Sequence, residues 1–153
     1  MRIIIAADHN GVSMKARLVA WLRDRGHDVD DRGTHGDVEV DYPFLCAEVG
    51  RAVADHRADM GVVVGGSGQG EVIACNKVPG VRAGLCHTRF ATEISRGNND
   101  ANVLVLGAKV ISEEEAESVV ESWLVTPFKG GRHQRRLEQI EALERGEIPA
   151  PGP

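Results

Sequence analysis

The sequence Met60-Gly61-Val62-Val63-Val64-Gly65-Gly66-Ser67-Gly68-Gln69-Gly70-Glu71 joins an apolar run directly to a glycine-rich loop that ends in a carboxylate. A short β-branched run followed by small residues predicts a buried strand, a loop and the start of a helix. The backbone N–H groups of such a loop point to one spot and can bind an anion. A loop built only for phosphate would follow its last glycine with Lys, so Glu71 indicates proton abstraction beside a carbonyl group instead.

Strand-like runs alternate with helical patterns on both sides of this loop. The predicted strands are 3–7, 27–31, 60–64, 81–86 and 103–106. The predicted helices are 12–25, 42–54, one that opens at 71–75, 90–96, one capped by Ser112 that runs to about 124, and 132–145. This order predicts an α/β fold, a three-layer αβα sandwich around a Rossmann-like five-stranded parallel sheet. We expect residues 1–145 to form one domain and residues 146–153 a loose C-terminal tail.

The composition argues against several classes of protein. The 153 residues are 42% hydrophobic and 27% charged, and the formal charge of -5 argues against a general nucleic-acid or membrane-surface role. No apolar stretch approaches the roughly 20 residues of a membrane span, and the chain starts directly with a strand, so we expect a cytoplasmic protein. Three cysteines without CxxC spacing are interpreted as buried reduced thiols, and the six histidines lack paired-ligand spacing, so no metal site is predicted.

Ligands of such folds bind beyond the carboxyl ends of the strands, which selects a few polar residues besides the glycine loop. They are Asp8, His9 and Asn10 after the first strand, Thr88 and Arg89 after the fourth, and Lys109 after the fifth. Asp8 could simply cap the following helix. An Asp-His pair at this edge would, however, face the same crevice as the glycine loop, which favours a functional role.

The glycine loop matches neither of the two common nucleotide-binding motifs. A dinucleotide fingerprint follows the first strand and has an acid about 20 residues later, whereas this loop follows the third strand and 86–89 contains no acid. The P-loop has the spacing of Gly65 and Gly70 but requires Lys where Glu71 stands. A purely structural turn is the remaining alternative for this loop.

A compact basic cluster, Arg132-His133-Gln134-Arg135-Arg136, stands in an acidic protein. Residues four apart share a helix face, so Arg132 and Arg136 can bind one anion together, although a solvated helix start explains the pattern equally well. The segment Asn98-Asn99-Asp100-Ala101-Asn102, taken alone, predicts a polar loop before the fifth strand.

Together these segments resemble the family of ribose-5-phosphate isomerase B and the galactose-6-phosphate isomerase subunits. The similarity extends from Ile3 to about Ile140 and rests on six ordered motifs. They are Ala7-Asp8-His9 with Gly11, Asp41-Tyr42-Pro43, the loop from Gly65 to Glu71, Asn76-Lys77-Val78-Pro79-Gly80-Val81-Arg82-Ala83, Asn99-Asp100-Ala101-Asn102-Val103, and the cluster from Arg132 to Arg136.

The resemblance implies a doubly wound α/β sandwich that forms a homodimer, with a tetramer as the alternative. The active sites would lie at the subunit interface, which the C-terminal helix reaches. The implied reaction interconverts aldose and ketose phosphates, ribose 5-phosphate and ribulose 5-phosphate or close analogues, through an enediolate without metal or cofactor. The expected partners are the sugar phosphate and a second subunit, with no nucleic acid and no membrane.

The resemblance also assigns roles to individual residues. Asp8 and His9 would contact the substrate, Ser67 would hydrogen-bond a carbonyl or hydroxyl oxygen, and Glu71 would be the catalytic base. Further implied contacts are Tyr42, Gly66, Gly68, Gly70, Asn99 and Lys109 for the sugar, and Arg132, Arg136 and His133 for the phosphate, with the two arginines supplied by the partner subunit.

Three positions depart from the family pattern. Many members have a cysteine base where this chain has Gly65, whereas the Gly-Gly-Ser branch uses the glutamate at the position of Glu71. Members usually have a histidine that opens the furanose ring where this chain has Asn98, and an amide exchanges no proton near neutral pH. Lys109 stands where relatives often have Arg, which replaces a two-pronged phosphate contact with a point charge.

Asn98 motivates a second hypothesis, a tetrose-phosphate isomerase that interconverts erythrulose 4-phosphate and erythrose 4-phosphate, because a tetrose 4-phosphate cannot close a furanose. Ribose 5-phosphate remains a substrate if His9, His87 or His133 supplies the proton. The alternatives from other classes are a non-catalytic partner subunit and a sugar-phosphate or flavodoxin-type binding module. Aromatic residues make up only 4% of the chain, which argues against a flavin site.

Overall fold

The computed structural model describes residues 1–152, in which five strands alternate with six helices. The strands are β1 (Arg2–Ala7), β2 (Asp28–Gly33), β3 (Met60–Gly65), β4 (Ala83–Leu85) and β5 (Val103–Gly107). The helices are α1 (Val12–Asp24), α2 (Tyr42–Ala54), α3 (Gln69–Cys75), α4 (Arg89–Asn99), α5 (Glu113–Val125) and α6 (Arg132–Glu144). The strand pairings are all parallel, in the order β2-β1-β3-β5-β4. The predicted αβα fold with a five-stranded parallel sheet is thereby confirmed.

Successive side chains of each strand point to opposite faces of the sheet, so the core is divided into two layers, one on each face. One face is covered mainly by α1 and α5, and its buried strand residues include Ile3, Ile5, Ala7, Val62, Val64, Leu104 and Leu106. The other face is covered by α2 and α3, and its buried strand residues include Ile4, Ala6, Val63, Val103 and Val105. Because both faces are covered, the central strands β1, β3 and β5 are apolar along almost their whole length.

The segment 98–102, predicted as a loop, begins inside a helix. Asn98 and Asn99 form the last turn of α4, which ends where Asp100 adopts a left-handed conformation with φ 43°. The side chain of Arg96 donates a hydrogen bond to Asp100 Oδ1 at 2.9 Å. This contact closes the helix end, and α4 therefore extends beyond the predicted boundary at residue 96.

Two other elements have bounds that the sequence did not predict. Only Ala83–Leu85 of the predicted strand 81–86 pairs with β5, and the N–H of Arg82 donates instead to the side chain of Asn102 at 2.8 Å. The helix predicted to open at 71–75 already ends at Cys75, where a turn begins that leads to Pro79.

The C-terminal helix α6 packs against α4 beside the β4 edge of the sheet. Leu137 is buried there, and the Glu144 carboxylate accepts hydrogen bonds at 3.1 Å from the backbone N–H of Gly80. Residues 146–152 form no helix or strand, and Pro153 lies outside the described residues, so the loose tail stays a prediction. None of the helices in residues 1–152 combines the length and the apolar composition needed to cross a membrane.

Candidate active site

The crevice between β1 and β3 is the topological switch point of the sheet. From β1 the chain continues to β2 on one side, and from β3 it continues through α3 to β4 and β5 on the other side. Helices therefore leave the carboxyl ends of these two neighbouring strands in opposite directions, and ligands of open α/β sheets bind in such a crevice. This position brings Asp8, at the end of β1, next to the glycine loop, and the N–H of Asp8 donates to the Val64 carbonyl at 3.2 Å.

The turn that follows β5 fixes the glycine loop through two backbone hydrogen bonds. The N–H of Ala108 donates to the Gly65 carbonyl at 2.8 Å, and the N–H of Lys109 donates to the Gly66 carbonyl at 2.9 Å. Gly68 has φ 78°, and a Cβ atom there would lie 2.5 Å from the side chain of Leu85, so glycine is required for both conformation and space.

The loop presents backbone N–H groups that have no partner within residues 1–152. These are the N–H groups of Gly66, Ser67, Gly68 and Gly70. The next N–H, that of Gln69, donates to Ser67 Oγ at 3.3 Å, which leaves the hydroxyl proton of Ser67 free to donate. Several donors converging at one helix start can stabilise a negative charge that develops on a substrate oxygen.

Glu71 points back over the start of the loop. Its side chain is buried, and its carboxylate occupies the space that a Cβ atom on Gly65 would need, so such an atom would overlap Oε1. Burial raises the pKa of Glu71, the hydrogen bond from its own backbone N–H opposes the rise, and the negative charge of Asp8 adds to it. The ionised carboxylate is therefore poorly hydrated and more basic than an exposed glutamate.

Asp8, His9 and Asn10 form a small network beside the loop. Asp8 Oδ1 accepts from the backbone N–H of Asn10 at 2.9 Å, and Asp8 Oδ2 accepts from Asn10 Nδ2 at 3.1 Å. Asn10 Nδ2 also lies 3.2 Å from His9 Nε2, and the amide packs against Gly66. Asp8 thus forms an Asx turn, and α1 has Gly11 as its N-cap, so the alternative that Asp8 caps the helix is wrong.

Two more predicted contact residues lie at this edge. Tyr42 opens α2, and its hydroxyl packs against Gly70 so closely that a Cβ atom at position 70 would overlap it. Lys109 follows β5, and its side chain is exposed while its backbone supports the loop. The structure therefore brings Asp8, His9, Tyr42, Lys109 and the loop from Gly66 to Glu71 together, and we call this group the loop cluster.

The remaining predicted site residues form a second group at the end of α4 and the start of α6. We call Asn98, Asn99, Lys129, Arg132, His133 and Arg136 the basic cluster. Asn98 Oδ1 accepts a hydrogen bond from Lys129 Nζ at 2.9 Å, a contact that the sequence did not predict. Burial lowers the pKa of His133, and the charges of Arg132, Arg136 and Lys129 lower it further. No hydrogen bond or ion pair joins the two clusters within the 152 residues described.

Other candidate residues have structural roles. Thr88 Oγ1 caps α4 by accepting from the N–H of Ala91 at 3.1 Å, and Arg89 pairs with Glu93 at 2.6 Å. His87 Nε2 accepts from the N–H of Gly107 at 2.9 Å, and the His87 side chain lies in a groove between α4 and α5 rather than in the loop cluster. In the portion of the chain that the structure describes, no group of three or more His, Cys, Asp or Glu side chains is arranged to hold a metal ion.

Sequence reasoning missed two contacts. Asn10 is a candidate only because it follows the first strand, and Lys129 belongs to none of the motifs, so the sequence predicts neither contact. The only signal for Asn10 was its position at the end of a buried strand. The only signal for Lys129 was the nearby run of basic residues from Arg132 to Arg136. Its contact with Asn98 joins residues 31 positions apart, which no local pattern indicates.

Comparison with known proteins identifies the family. Residues 3–140 match the family model described as Ribose/Galactose Isomerase. The chain is 41% identical over 143 residues to ribose-5-phosphate isomerase B of Escherichia coli strain K12, covering 94% of this chain and 96% of the relative. It is 38% identical over 156 residues to ribose-5-phosphate isomerase B of Mycobacterium tuberculosis strain H37Rv, covering 100% of this chain and 96% of the relative.

Solved structures agree with the sequence comparisons. Ribose-5-phosphate isomerase B of Clostridium thermocellum superposes with a TM-score of 0.94 at 42% identity, covering 95% of this chain and 99% of that one. The Mycoplasma genitalium ribose-5-phosphate isomerase B with bound ribulose-5-phosphate superposes with a TM-score of 0.91 at 34% identity, covering 94% and 96%. The chain therefore belongs to the ribose/galactose isomerase family.

Proposed function

We propose that this chain is an aldose–ketose isomerase of the ribose-5-phosphate isomerase B type, which interconverts ribose 5-phosphate and ribulose 5-phosphate. The observation that carries the proposal is the position of Glu71, a buried carboxylate next to several backbone N–H groups without partners. A base beside oxyanion donors is what proton transfer next to a carbonyl requires.

The proposed reaction moves one proton between two neighbouring carbons. With the aldose in its open form, Glu71 removes the proton from C2, the C–H electron pair forms the C1–C2 double bond, and the carbonyl pair moves onto O1. The N–H groups of the loop and the Ser67 hydroxyl stabilise the enediolate, and loss of one such donor typically costs about 10²–10³-fold in rate. The proton on O2 is transferred to O1, and Glu71 returns its proton to C1, which gives the ketose.

The phosphate is assigned to the basic cluster of a second subunit. Arg132 and Arg136 lie one turn apart on α6, are exposed, and form no ion pair within residues 1–152, so both guanidinium groups are available to a phosphate. The lack of any direct link between this cluster and the loop cluster of the same chain supports a homodimer with shared sites. The remaining proposed contacts with the sugar are Asp8, His9, Tyr42, Gly66, Gly68, Gly70, Asn98, Asn99 and Lys109, with His133 near the phosphate.

The variant Glu71→Gln tests the assignment of the base. We expect kcat to fall by about 10²–10⁴-fold, because the amide keeps the shape of the side chain but accepts no proton. Glu121→Gln, an exposed change on α5, is the matched control and should retain wild-type kcat. Equal kcat values for wild type and Glu71→Gln would contradict the assignment.

The raised pKa of Glu71 should be visible in protein stability and in the pH dependence of turnover, independently of the kcat of the variant. Its folded-state pKa is raised above the ordinary 4.5, so its favourable contribution to folding is lost as pH rises through that folded pKa. At neutral pH the melting temperature of Glu71→Gln should therefore equal or exceed that of wild type. The acid limb of kcat/KM in the wild-type enzyme should lie above pH 4.5.

A substrate comparison tests which sugar phosphate is used. The comparisons favour ribose 5-phosphate, whereas the tetrose hypothesis rests on Asn98 alone and is not favoured. We expect a higher kcat/KM for ribose 5-phosphate than for erythrulose 4-phosphate with the chain expressed alone. The opposite order would revive the tetrose hypothesis, and no turnover of either would indicate a non-catalytic subunit.

A further inference from the structure

Lys129 lies between the end of α4 and the start of α6. Its backbone N–H donates to the Gly97 carbonyl at 2.9 Å, and its Nζ donates to Asn98 Oδ1 at 2.9 Å. A Cβ atom on Gly97 would lie 3.2 Å from Lys129 Cε, so the glycine makes room for the lysine side chain. The ammonium group is thereby fixed beside Asn98 although Lys129 itself is exposed.

Two glycines with left-handed backbone bring this ammonium group next to α6. Gly130 and Gly131 have φ 62° and 59°, and the N–H of His133 donates back to the Gly130 carbonyl at 3.1 Å. The tight turn places Lys129 beside the first turn of the helix that carries Arg132. The charges of Lys129, Arg132 and Arg136 all act on the buried His133, which agrees with this proximity.

Lys129, Arg132 and Arg136 form no ion pair within residues 1–152, whereas several other cations of this acidic protein do. Arg17 contacts three glutamates of α5, and Arg82 and Arg96 both pair with Asp100. By contrast, Lys129 has a neutral amide as its hydrogen-bond partner, and no carboxylate of residues 1–152 forms an ion pair with it, with Arg132 or with Arg136. Three neighbouring cations without a protein counter-charge form a site suited to a dianion.

We propose that Lys129 is a third phosphate-binding cation of this enzyme and that Asn98 positions it. The inference rests on the proposed function, in which Arg132 and Arg136 bind the substrate phosphate. An ammonium group has three donors, and the bond to Asn98 Oδ1 uses one of them, so two remain for phosphate oxygens. Asn98 thus has a role of its own, as the acceptor that orients Lys129, at the position where relatives place a ring-opening histidine.

The variant Lys129→Met tests the proposal, with Arg135→Met as the matched control. Arg135 is an exposed cation of α6, and its side chain lies beside Gly152 in the C-terminal segment. We expect Lys129→Met to raise the KM for ribose 5-phosphate and the inhibition constant of inorganic phosphate by the same factor, roughly 10- to 100-fold, with kcat changed by less than about threefold. The proposal would be overturned if Lys129→Met left both constants unchanged, or if Arg135→Met changed them by the same factor.

The positioning role of Asn98 needs a double-mutant cycle. Asn98→Ala should raise the KM for ribose 5-phosphate and the inhibition constant of inorganic phosphate by a smaller factor than Lys129→Met does. The ammonium group of Lys129 remains in this variant but is no longer oriented. The double variant Asn98→Ala/Lys129→Met should bind phosphate no more weakly than Lys129→Met alone. Additive losses would show that Asn98 acts independently of Lys129 and would refute its positioning role.

A binding measurement separates this proposal from the proposed function. Inorganic phosphate is titrated calorimetrically into Glu71→Gln protein with and without Lys129→Met, so the readout does not depend on turnover. Weaker phosphate binding by the Lys129→Met protein supports the proposal even if no sugar phosphate is isomerised. Equal phosphate binding by the two proteins refutes it even if ribose 5-phosphate is turned over normally.

Discussion

At position 65 the lack of a side chain makes room for the carboxylate of Glu71, the proposed base. The Glu71 carboxylate fills the volume that a Cβ atom on Gly65 would occupy, so residues 65 and 71 cannot both place side-chain atoms there. In this chain the carboxylate reaches that place from the first turn of α3.

The variant Gly65→Ala should therefore displace the base without changing its chemistry. We expect kcat to fall by about 10²-fold or more, since a shift of about 1 Å in a reacting group has an effect of this size. Gly36→Ala is the control, because a Cβ atom there meets no atom within 4 Å. Retention of full activity by Gly65→Ala would show that the observed position of Glu71 is not needed for turnover.

At this scale the sequence predicted the chemistry of the loop but not its packing. Glu71 is a candidate because a carboxylate follows four glycines where a P-loop has Lys, and the positions of Asp8 and Tyr42 follow from strand ends and motifs. That the Tyr42 hydroxyl packs on Gly70, or that Asn10 bridges Asp8 and His9, depends on distances between segments. Such distances leave no trace in local residue patterns.

Among the elements, the end of α4 is fixed by two ion pairs of Asp100. One is with Arg96 in the last turns of the helix, and the other is with Arg82 in the segment before β4. Asp100 is one of two residues other than glycine with positive φ in 1–152, and it accepts from Arg96 on its own helix and from Arg82 just before β4. These contacts determine where Asn98 and Asn99 are presented. The strain at Asp100 and the orientation of the basic cluster are therefore linked.

Replacing Asp100 should weaken this helix end. We expect Asp100→Ala to lower the free energy of unfolding by about 1–3 kcal/mol, because alanine tolerates positive φ poorly and both arginines lose their carboxylate partner, keeping only backbone acceptors. Asp100→Asn retains an acceptor and tolerates the same backbone conformation, so it should lose less. Urea denaturation followed by circular dichroism measures both, and equal losses would show that neither the strain nor the loss of an acceptor is responsible.

Element types were predictable because β1, β3 and β5 are buried on both faces and the helices are amphipathic. The boundaries of α4 and β4 were not, because they depend on tertiary hydrogen bonds. Arg82, which lies 18 positions before Asp100, donates to the side chain of that residue at the end of α4, and the Asn102 side chain accepts from the N–H of Arg82 that would otherwise begin the strand. Local propensity in 98–102 favours a loop, and tertiary contacts override it.

For the whole molecule, the division into a loop cluster and a basic cluster makes a specific prediction for mixed dimers. A heterodimer that pairs a Glu71→Gln chain with an Arg132→Met/Arg136→Met chain contains one site with both defects and one intact site, if each site takes its arginines from the partner. We expect purified heterodimers to show about half of the wild-type activity, although both parent homodimers are inactive. Sites built within one chain would instead give heterodimers without activity.

A carboxylate as the proposed base has a consequence for the reagents that can damage the enzyme. Peroxides and alkylating electrophiles attack thiolates, and a cysteine base is exposed to them because it must be ionised and accessible. With Glu71 as the proposed base, the proposed proton transfer uses no sulfur, and the three cysteines of the chain, Cys46, Cys75 and Cys86, are all buried. We therefore expect turnover by this chain to survive treatment with thiol-alkylating reagents that do not unfold it.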